Sequence, residues 1–210
     1  MAKQTIPKAA ALRLSLYLRE VESLLEAGQT KVSSGQLAES LGLTAAQVRK
    51  DLARFGPLGR AGIGYLCPAL AEQFRRILGT DQLRPVALVG AGNLGRALAT
   101  YPGFERRGFK ITALLDNDLR TVGRQYGGLI VQDIAKLHFV CQRDRIRLAI
   151  LAVPGSAAQD VADLLVRAGI QGLLNFSPVR LDVPAAVVVS TVALSLELEQ
   201  LGLAVRLRNK

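Results

Sequence analysis

The spacing of apolar residues changes near residue 84. Before that point they recur at the spacing of amphipathic helices, and after it apolar runs of strand length alternate with helical stretches. The joint between the two patterns is polar and contains a glycine and a proline, as a linker does. The pattern therefore predicts a helical region over residues 1–79, an alternating α/β region over 80–190, and a further apolar segment over 191–210.

The first region predicts three helices in the order of a helix-turn-helix. The first helix is expected over 8–27 and the second over 34–41, and a short turn containing Gly42 leads into the third. Thr44 and Gln47 have the Thr-x-x-Gln spacing of a capping box, so the third helix is expected to begin at Thr44.

The third predicted helix has an apolar face and a polar, basic face. Val48, Leu52 and Phe55 fall on one side and are expected to pack inward. On the other side, arginine and lysine can pair with guanine, and glutamine with adenine, in the major groove of DNA. An ordinary solvated basic face stays open as the alternative for the helix taken alone. The candidate DNA-binding side chains are Gln47, Arg49, Lys50 and Arg54.

A glycine-rich loop after this helix favours DNA binding. Residues 56–65 contain four glycines and predict a tight hairpin, or wing, with Arg60 at its tip. An arginine on a wing can enter a narrow and strongly negative minor groove. A last helix over 68–78 completes a predicted winged helix-turn-helix domain over residues 1–79.

The net charge indicates a polyanionic partner without locating its binding site. The chain carries 27 basic and 17 acidic side chains, a formal charge of +10. Residues 1–84 hold 12 basic and 7 acidic side chains and residues 85–210 hold 15 and 10, so each part carries +5. The motifs, and not the charge, therefore assign double-stranded DNA to the first region.

A dinucleotide-binding fingerprint opens the second region. A buried strand over 86–89 leads into the sequence GAGNLG and then into a helix, and a second strand over 110–115 ends on Asp116, 21 residues after the last glycine. The glycines let the backbone approach a pyrophosphate, and the acid binds the adenosine ribose and repels the extra phosphate of NADP(H). The spacing predicts NAD(H) as the cofactor, held by Gly90, Gly92, Asn93, Leu94, Gly95 and Asp116.

Further strands over 147–154 and 172–176 predict a parallel, doubly wound Rossmann sheet. Ligands bind such sheets at the carboxyl ends of the strands, which places Val153, Pro154 and Asn175 near the nicotinamide half of the cofactor. For Val153 and Pro154, a plain strand end is an equally open interpretation.

The last segment is too apolar for a helix on the surface of a monomer. Apolar residues stand at positions 192, 194, 196, 198, 201, 203 and 205, on more than one side of a helix that begins at Thr191. Either a partner subunit covers part of them, as in a homodimer, or the helix is buried in its own chain.

Little in the chain predicts catalysis, a metal site or a membrane anchor. Cys67 and Cys141 lie far apart, the only histidine is His138, and no tyrosine is followed four positions later by the lysine of a short-chain dehydrogenase. No apolar run reaches the roughly 18 residues of a membrane span, and the N-terminus has no signal sequence. We therefore expect a cytoplasmic protein that is not an enzyme and binds no metal, with an NAD-dependent oxidoreductase as the remote alternative.

These motifs, in this order, resemble those of the Rex family of redox-sensing transcriptional repressors along nearly all of the chain. The match includes VRKDL at 48–52, GAGNLG at 90–95, YPGF at 101–104 and GLLNFSP at 172–178. The resemblance implies a homodimer that binds an inverted-repeat operator and is released by NADH. It also implies that the C-terminal helices are swapped between the two subunits.

The chain departs from the family pattern at three places. The resemblance assigns a switch contact to Arg19, Tyr101 and an aspartate before the last helix, but Ala193 stands at the position of that aspartate. Leu194 stands where some members carry an aromatic ring, and the wing has Ala61 where many carry a basic residue. These departures keep open a Rex-like DNA-binding protein whose response to nucleotide is altered or lost.

Overall fold

The computed structural model describes residues 8–56 and 64–208. The chain forms two compact units, the first ending at Gln82 and the second beginning at Leu83. Each unit has its own hydrophobic core. The first is mainly helical and the second alternates strands with helices, so the protein is α/β, as predicted. The tip of the predicted wing, with Arg60, lies outside the described residues.

The first unit packs its helices around one core. Its elements are α1 (Lys8–Glu26), β1 (Lys31–Val32), α2 (Ser34–Leu41), α3 (Ala45–Ala53), β2 (Tyr65–Leu66) and α4 (Cys67–Leu78). Tyr17 of α1 and Phe74 of α4 are fully buried, with ring centroids 6.3 Å apart. Val48 and Leu52 are buried in the same core and Phe55 is half-buried beside it, so the predicted inward face of the third helix is confirmed.

Polar side chains fix the starts of α2 and α3. The Ser33 hydroxyl accepts a hydrogen bond from the backbone N–H of Gln36, and the Ser33 N–H donates to the Gln36 side chain, which completes a capping box that the sequence analysis missed. At Thr44 the predicted box is half right. The Thr44 hydroxyl accepts from the backbone N–H of Gln47 at 3.1 Å, but the Gln47 side chain bonds to Asp51 instead of returning to Thr44.

A buried carboxylate joins α1 to α3. Asp51 is 1% exposed and accepts two hydrogen bonds from the Arg13 guanidinium, at 2.5 and 2.9 Å, and one from the Tyr17 hydroxyl at 2.9 Å. The bonds from Arg13 hold the pKa of Asp51 below its usual range, and burial together with the bond to Asp51 raises the pKa of Tyr17 to about 12. Because a buried charge without partners is costly, these bonds fasten the third helix to the first.

The second unit is built on one seven-stranded sheet. Its elements are β3 (Arg84–Val89), α5 (Asn93–Ala99), α6 (Gly103–Arg106), β4 (Phe109–Asp116), β5 (Gln125–Tyr126), β6 (Leu129–Asp133), a 3₁₀ turn (Ile134–Lys136), α7 (Leu137–Arg143), β7 (Leu148–Leu151), α8 (Gly155–Arg167), β8 (Gly172–Asn175), β9 (Val188–Thr191) and α9 (Leu194–Arg208). The strand order is β5-β6-β4-β3-β7-β8-β9, and all neighbours are parallel except β5 and β6.

The connections of this sheet create a switch point at its centre. The chain runs from β3 to β4 on one side and later returns to β7 on the other side of β3. Doubly wound sheets bind ligands where the strand order reverses in this way, at the carboxyl ends of the strands. Alternate strand residues such as Ala87, Val89 and Leu151 pack against α7 and α8 on one face, while Leu88 and Leu114 pack toward α5 on the other.

The predicted elements of the second unit are confirmed, with their bounds shifted by a few residues. The strand expected over 147–154 ends at Leu151. The helix expected from Thr191 begins at Leu194, because Thr191 is the last residue of β9 and pairs with Asn175 in the sheet. The sequence analysis did not predict β9 as a strand.

The Tyr17–Asp51 bond predicts how stability changes at alkaline pH. The pKa of Tyr17 is raised from its ordinary value of 10.0 to about 12. The stability that its protonated form contributes is therefore complete below pH 10 and is lost as pH rises through 12. We expect the stability advantage of the wild type over Tyr17→Phe to shrink by roughly 2 to 3 kcal/mol across this window.

Urea unfolding of both proteins between pH 8 and pH 12 measures this difference. The variant Tyr126→Phe, which changes a tyrosine of the second unit, is the control and should follow the wild-type curve for the first unit. Parallel curves for the wild type and Tyr17→Phe would contradict the prediction.

Candidate nucleotide and DNA-binding sites

The turn from β3 into α5 brings two of its glycines into tight packing. Gly90 has a φ of +102°, and a Cβ on it would overlap the carbonyl oxygen of Ala152 just after β7. Gly95 is buried, and a Cβ on it would overlap the carbonyl oxygen of Gly90. The packing of the turn therefore requires both glycines, whatever binds beside them.

Gly92, the middle glycine of the fingerprint, faces open space. A Cβ on it would meet no atom within 4 Å, and Gly92, Asn93 and Leu94 are all exposed at the first turn of α5. Packing within the described chain does not require a glycine here, whereas a ligand that approaches the backbone closely does. This surface lies beside the switch point between β3 and β7, so the turn fits a dinucleotide.

Asp116, the predicted ribose ligand, also holds this turn in place. Its Oδ2 accepts a hydrogen bond from the backbone N–H of Ala91 at 2.6 Å, and its Oδ1 accepts one from the N–H of Asp118 at 2.9 Å. Each carboxylate oxygen has a further lone pair, and the side chain is only half-buried. Asp116 therefore ties the end of β4 to the glycine turn and keeps acceptor capacity for a ligand.

Asn175 does not reach the surface of the site. It is fully buried, its amide nitrogen donates to the carbonyl oxygen of Val179 at 2.9 Å, and its amide oxygen accepts from the N–H of Ser177 at 2.9 Å. The predicted direct contact between Asn175 and a cofactor is incompatible with this burial. Both polar groups of the Asn175 amide are hydrogen-bonded within the loop after β8.

Ser177 is a buried residue of this region that the sequence analysis missed. Its hydroxyl donates to the carbonyl oxygen of Val153 at 2.6 Å. Val153 is half-buried beside Gly90, and Pro154 is exposed at the start of α8. The structure thus brings Val153 and Pro154 to the carboxyl end of β7, next to the glycine turn.

Arg96 is a second residue that the sequence analysis missed. Its Nε donates to the carbonyl oxygen of Ala91 at 2.7 Å, and its guanidinium lies over the Tyr126 ring, 4.6 Å from the centroid. Tyr126 belongs to the β5–β6 hairpin, so a cation–π contact couples that hairpin to the glycine turn. The position of an arginine directly after the fingerprint was the only sequence signal for this role.

The predicted DNA-binding side chains of α3 do not all behave alike. Arg49, Lys50 and Arg54 are exposed, and Arg49 also donates to the hydroxyl of the serine that begins α2, at 3.2 Å. Gln47 is half-buried, and its side-chain nitrogen donates to Asp51 at 2.9 Å. The helix thus offers a basic surface with one internally fixed amide.

The two predicted switch residues are exposed and lie in different units. Arg19 is on α1, and Tyr101 follows α5 with 57% of its surface exposed. The Tyr101 ring meets Phe104 edge-on, with centroids 5.2 Å apart. Ala193, at the start of the last segment, is half-buried and has no side-chain hydrogen-bond acceptor.

Helix α9 is uncovered on all sides. Its seven leucine and valine side chains are 52% to 69% exposed, which contradicts the alternative of a helix buried in its own chain. At 100° per residue they form two stripes on opposite sides. One stripe consists of Leu194, Leu198, Leu201 and Val205, and the other of Leu196, Leu203 and Leu207.

An apolar groove of about 880 Å³ opens on one face of the same unit. It runs across β3, β7, β8 and β9, where Val86, Ile150, Leu174 and Val188 contribute to its floor. Four arginines, at the N-terminal ends of β3, β4 and β7, lie at its rim: Arg84, Arg107, Arg145 and Arg147.

The described residues contain neither a metal site nor a membrane-spanning helix. Within 8–56 and 64–208, no three histidine, cysteine, aspartate or glutamate side chains form a group that could hold an ion. Over the same ranges no helix combines the length and apolarity needed to cross a bilayer. Cys67 and Cys141 are buried free thiols, burial raises the pKa of Cys141 to about 11, and His138 is exposed.

Two family models match the chain in the order of its two units. The model of the "Putative DNA-binding protein N-terminus" matches residues 5–53, and the model of the "CoA binding domain" matches residues 81–179. A helical DNA-binding region followed by a Rossmann-like parallel sheet is therefore supported by sequence as well as by structure.

Relatives match over nearly the full length. The redox-sensing transcriptional repressor Rex of Carboxydothermus hydrogenoformans is 45% identical over 201 residues, covering 96% of this chain and 97% of the relative. That of Desulforamulus reducens is 44% identical over 205 residues, covering 98% of each. These relatives are repressors, which excludes the oxidoreductase alternative.

Solved structures of a Rex-family repressor match this chain in fold over nearly its full length. RSP, a Rex-family repressor in complex with β-NAD⁺ and operator DNA, has a TM-score of 0.92 at 36% identity, covering 99% of this chain and 95% of that chain. RSP in complex with β-NADH has a TM-score of 0.88 at 36% identity, covering 99% and 97%. The chain therefore belongs to the Rex family of redox-sensing transcriptional repressors.

Proposed function

We propose that this chain represses transcription as a homodimer that binds an inverted-repeat operator and leaves it when NADH binds. The observation that carries the proposal is the open glycine turn at Gly92, beside the switch point of a parallel sheet, in a chain whose first unit presents a basic helix-turn-helix. A relative of the same family has been crystallised with NAD⁺ and operator DNA, and with NADH.

The winged helix-turn-helix of the first unit binds the DNA. Helix α3 lies in the major groove, with Arg49 and Lys50 toward bases or phosphates and Arg54 near the backbone, and Arg60 of the wing reaches the minor groove. The exposure of the three basic side chains supports this assignment. The antiparallel pairing of β1 with β2, directly after the wing, supports it as well.

NAD(H) lies across the carboxyl ends of β3 and β7. Asp116 binds the ribose hydroxyls with the lone pairs that Ala91 and Asp118 leave free, and its charge disfavours a 2′-phosphate. Val153 and Pro154 line the nicotinamide half, supported from below by the buried Asn175–Ser177 loop. The pyrophosphate lies against the exposed Gly92, Asn93 and Leu94, and the buried Gly90 and Gly95 give the turn the shape that this contact needs.

The dimer forms through α9 and the apolar groove. A helix with apolar stripes on two opposite sides is stable in water only if both sides are covered, and a second copy of the chain offers two complementary surfaces. We assign α9 to the partner subunit, as a swapped helix.

Nucleotide can release DNA only by binding one conformation of the dimer better than another. Arg19 and Tyr101 are assigned to the contact that distinguishes these conformations. Because Ala193 offers no carboxylate, this contact must form here without the acid that the family pattern provides. A weaker coupling between nucleotide and DNA than in typical members follows from this difference.

DNA binding titrated with nucleotide tests the proposal directly. Fluorescence anisotropy with an inverted-repeat operator at fixed salt is measured with NADH and NAD⁺ in parallel. We expect NADH to weaken binding by roughly fivefold or more and NAD⁺ to leave it intact. Arg49→Ala and Lys50→Ala should weaken binding without nucleotide, because each removes a contact to DNA.

Two outcomes would contradict parts of this proposal separately. Binding that is indifferent to both nucleotides would exclude the redox response and leave a DNA-binding dimer. Unchanged affinity in both alanine variants would exclude α3 as the DNA-binding helix.

The contacts of Asp116 predict a loss of nucleotide affinity when its side chain is removed. Asp116→Ala takes away the ribose acceptor and the bond that holds Ala91, so we expect NADH affinity to fall by roughly tenfold to a hundredfold. Isothermal titration calorimetry measures the change. Asp160→Ala, which removes an exposed carboxylate from α8, is the matched control, and equal affinities of the two variants would rule out the role of Asp116.

The two apolar stripes of α9 predict that charged residues introduced into one of them weaken the dimer. Leu198→Glu combined with Leu201→Glu should raise the dissociation constant of the dimer by roughly a hundredfold or more, because two charges would lose water on association. Sedimentation equilibrium measures the constant. Ser195→Glu adds one such charge between the stripes and should change the constant little. A double variant that dimerises like the wild type would disprove the assignment.

A further inference from the structure

A fully buried carboxylate on α3 is bonded from two directions. The side toward the core is occupied by α1, whose Arg13 and Tyr17 donate three hydrogen bonds to Asp51. The other direction is occupied by Gln47, one helical turn earlier on α3, whose Nε2 donates to Oδ1 of Asp51 at 2.9 Å. Gln47 is half-buried, and its Oε1 does not belong to the fully buried side-chain atoms that lack a hydrogen-bond partner, so this oxygen retains contact with the surface.

The Asp51 carboxylate determines the orientation of the Gln47 amide, that is, whether its nitrogen or its oxygen faces Asp51. An ionised carboxylate only accepts hydrogen bonds, so it must meet the NH₂ group of the amide. The flipped amide would set Oε1 against Oδ1, two acceptors with no proton between them. Since Arg13 and Tyr17 hold the carboxylate from behind, Asp51 cannot turn to relieve that contact. Among the described residues, Oε1 of Gln47 has no hydrogen-bond partner.

We propose that Asp51 is a positioning residue for base recognition, which holds the Gln47 amide so that its oxygen and its second N–H face the DNA as an ordered acceptor–donor pair. The inference rests on the proposed function, in which α3 lies in the major groove. Adenine presents there an amino donor beside the N7 acceptor, which matches this pair. Guanine presents two acceptors, and its O6 would face Oε1 without a proton.

The arrangement assigns different tasks to the polar side chains of α3. Arg49, Lys50 and Arg54 carry charge and can contribute affinity for any sequence. Gln47 carries no charge, and its preset orientation gives it a base preference. Because its amide is ordered before DNA arrives, less rotamer freedom is lost on binding.

A base-substitution series of the operator tests this inference in the full-length dimer. Each base pair of one half-site is changed in turn, and the anisotropy affinity is measured at fixed salt for the wild type, Gln47→Ala, Asp51→Asn and the double variant. We expect the wild type to prefer adenine over guanine at one position by roughly fivefold to a hundredfold. Gln47→Ala and Asp51→Asn should each lose that preference while keeping the preferences at other positions.

The double variant separates positioning from general support. If Asp51 acts through Gln47, then Asp51→Asn adds no further loss at that position once Gln47→Ala is present. Asp81→Asn, which removes one negative charge from an exposed site, controls for the change in net charge. If Asp51→Asn does not fold, Tyr17→Phe takes its place. This variant keeps the charge of Asp51 and its bonds to Arg13 but removes one hydrogen bond to the carboxylate. It should reduce the ratio of the affinities for adenine and guanine.

The outcomes distinguish this inference from the proposed function. A wild type that binds no operator overturns both. Operator binding with an unchanged base profile in Asp51→Asn, or in Tyr17→Phe where that variant replaces it, overturns the positioning role and leaves the repressor function standing. An unchanged profile in Gln47→Ala does the same.

Discussion

The second unit depends on the close passage of two backbones at Gly90 and Ala152. The chain that leaves β3 has to pass the end of β7 before it can enter α5, and only a residue without a side chain fits between them. Asp116 holds the turn from β4, and Arg96 holds it from the helix and from the hairpin beyond. The exposed surface of this turn, to which we assign the nucleotide, is therefore held in shape by contacts within the folded chain.

The first unit depends in the same way on a buried charge, which joins α1 to α3. Asp51 carries a negative charge into the core of a strongly basic protein, and the pairing with Arg13 and Tyr17 makes that tolerable. The orientation of α3 relative to α1 then depends on a few directional bonds as well as on apolar packing. In both units the surface that we assign to a partner is held in place by contacts behind it, so buried residues determine its geometry.

Periodic features were predictable from the sequence, and features that depend on distant partners were not. The helices of the first unit, strands β3, β4 and β8, and the position of the glycine turn between β3 and α5 follow from local spacing. Strand β1 has two residues and forms only because the remote β2 pairs with it. Strand β9 follows β8 without an intervening helix, so it breaks the alternation of strands and helices from which the other strands were predicted. Asn175 is polar enough to bind a ligand, but its side chain forms hydrogen bonds within the loop after β8. The Gln47 side chain forms a hydrogen bond with Asp51 and does not return to cap the helix at Thr44. Such competition between hydrogen-bond partners is decided by tertiary geometry, which spacing alone does not encode. Helix α7 is different, because the spacing of Leu137, Val140 and Cys141 is that of a buried helix face and is sufficient to predict it.

The uncovered stripes of α9 have a consequence for gene dosage. When a chain must pair before its last helix is covered, the number of active repressors at low abundance grows with the square of the number of chains, and only at high abundance in direct proportion. Halving the synthesis of the chain then removes up to three quarters of the active form. Control of transcription by this protein would accordingly respond to its own expression level more steeply than that of a repressor that is complete as a single chain.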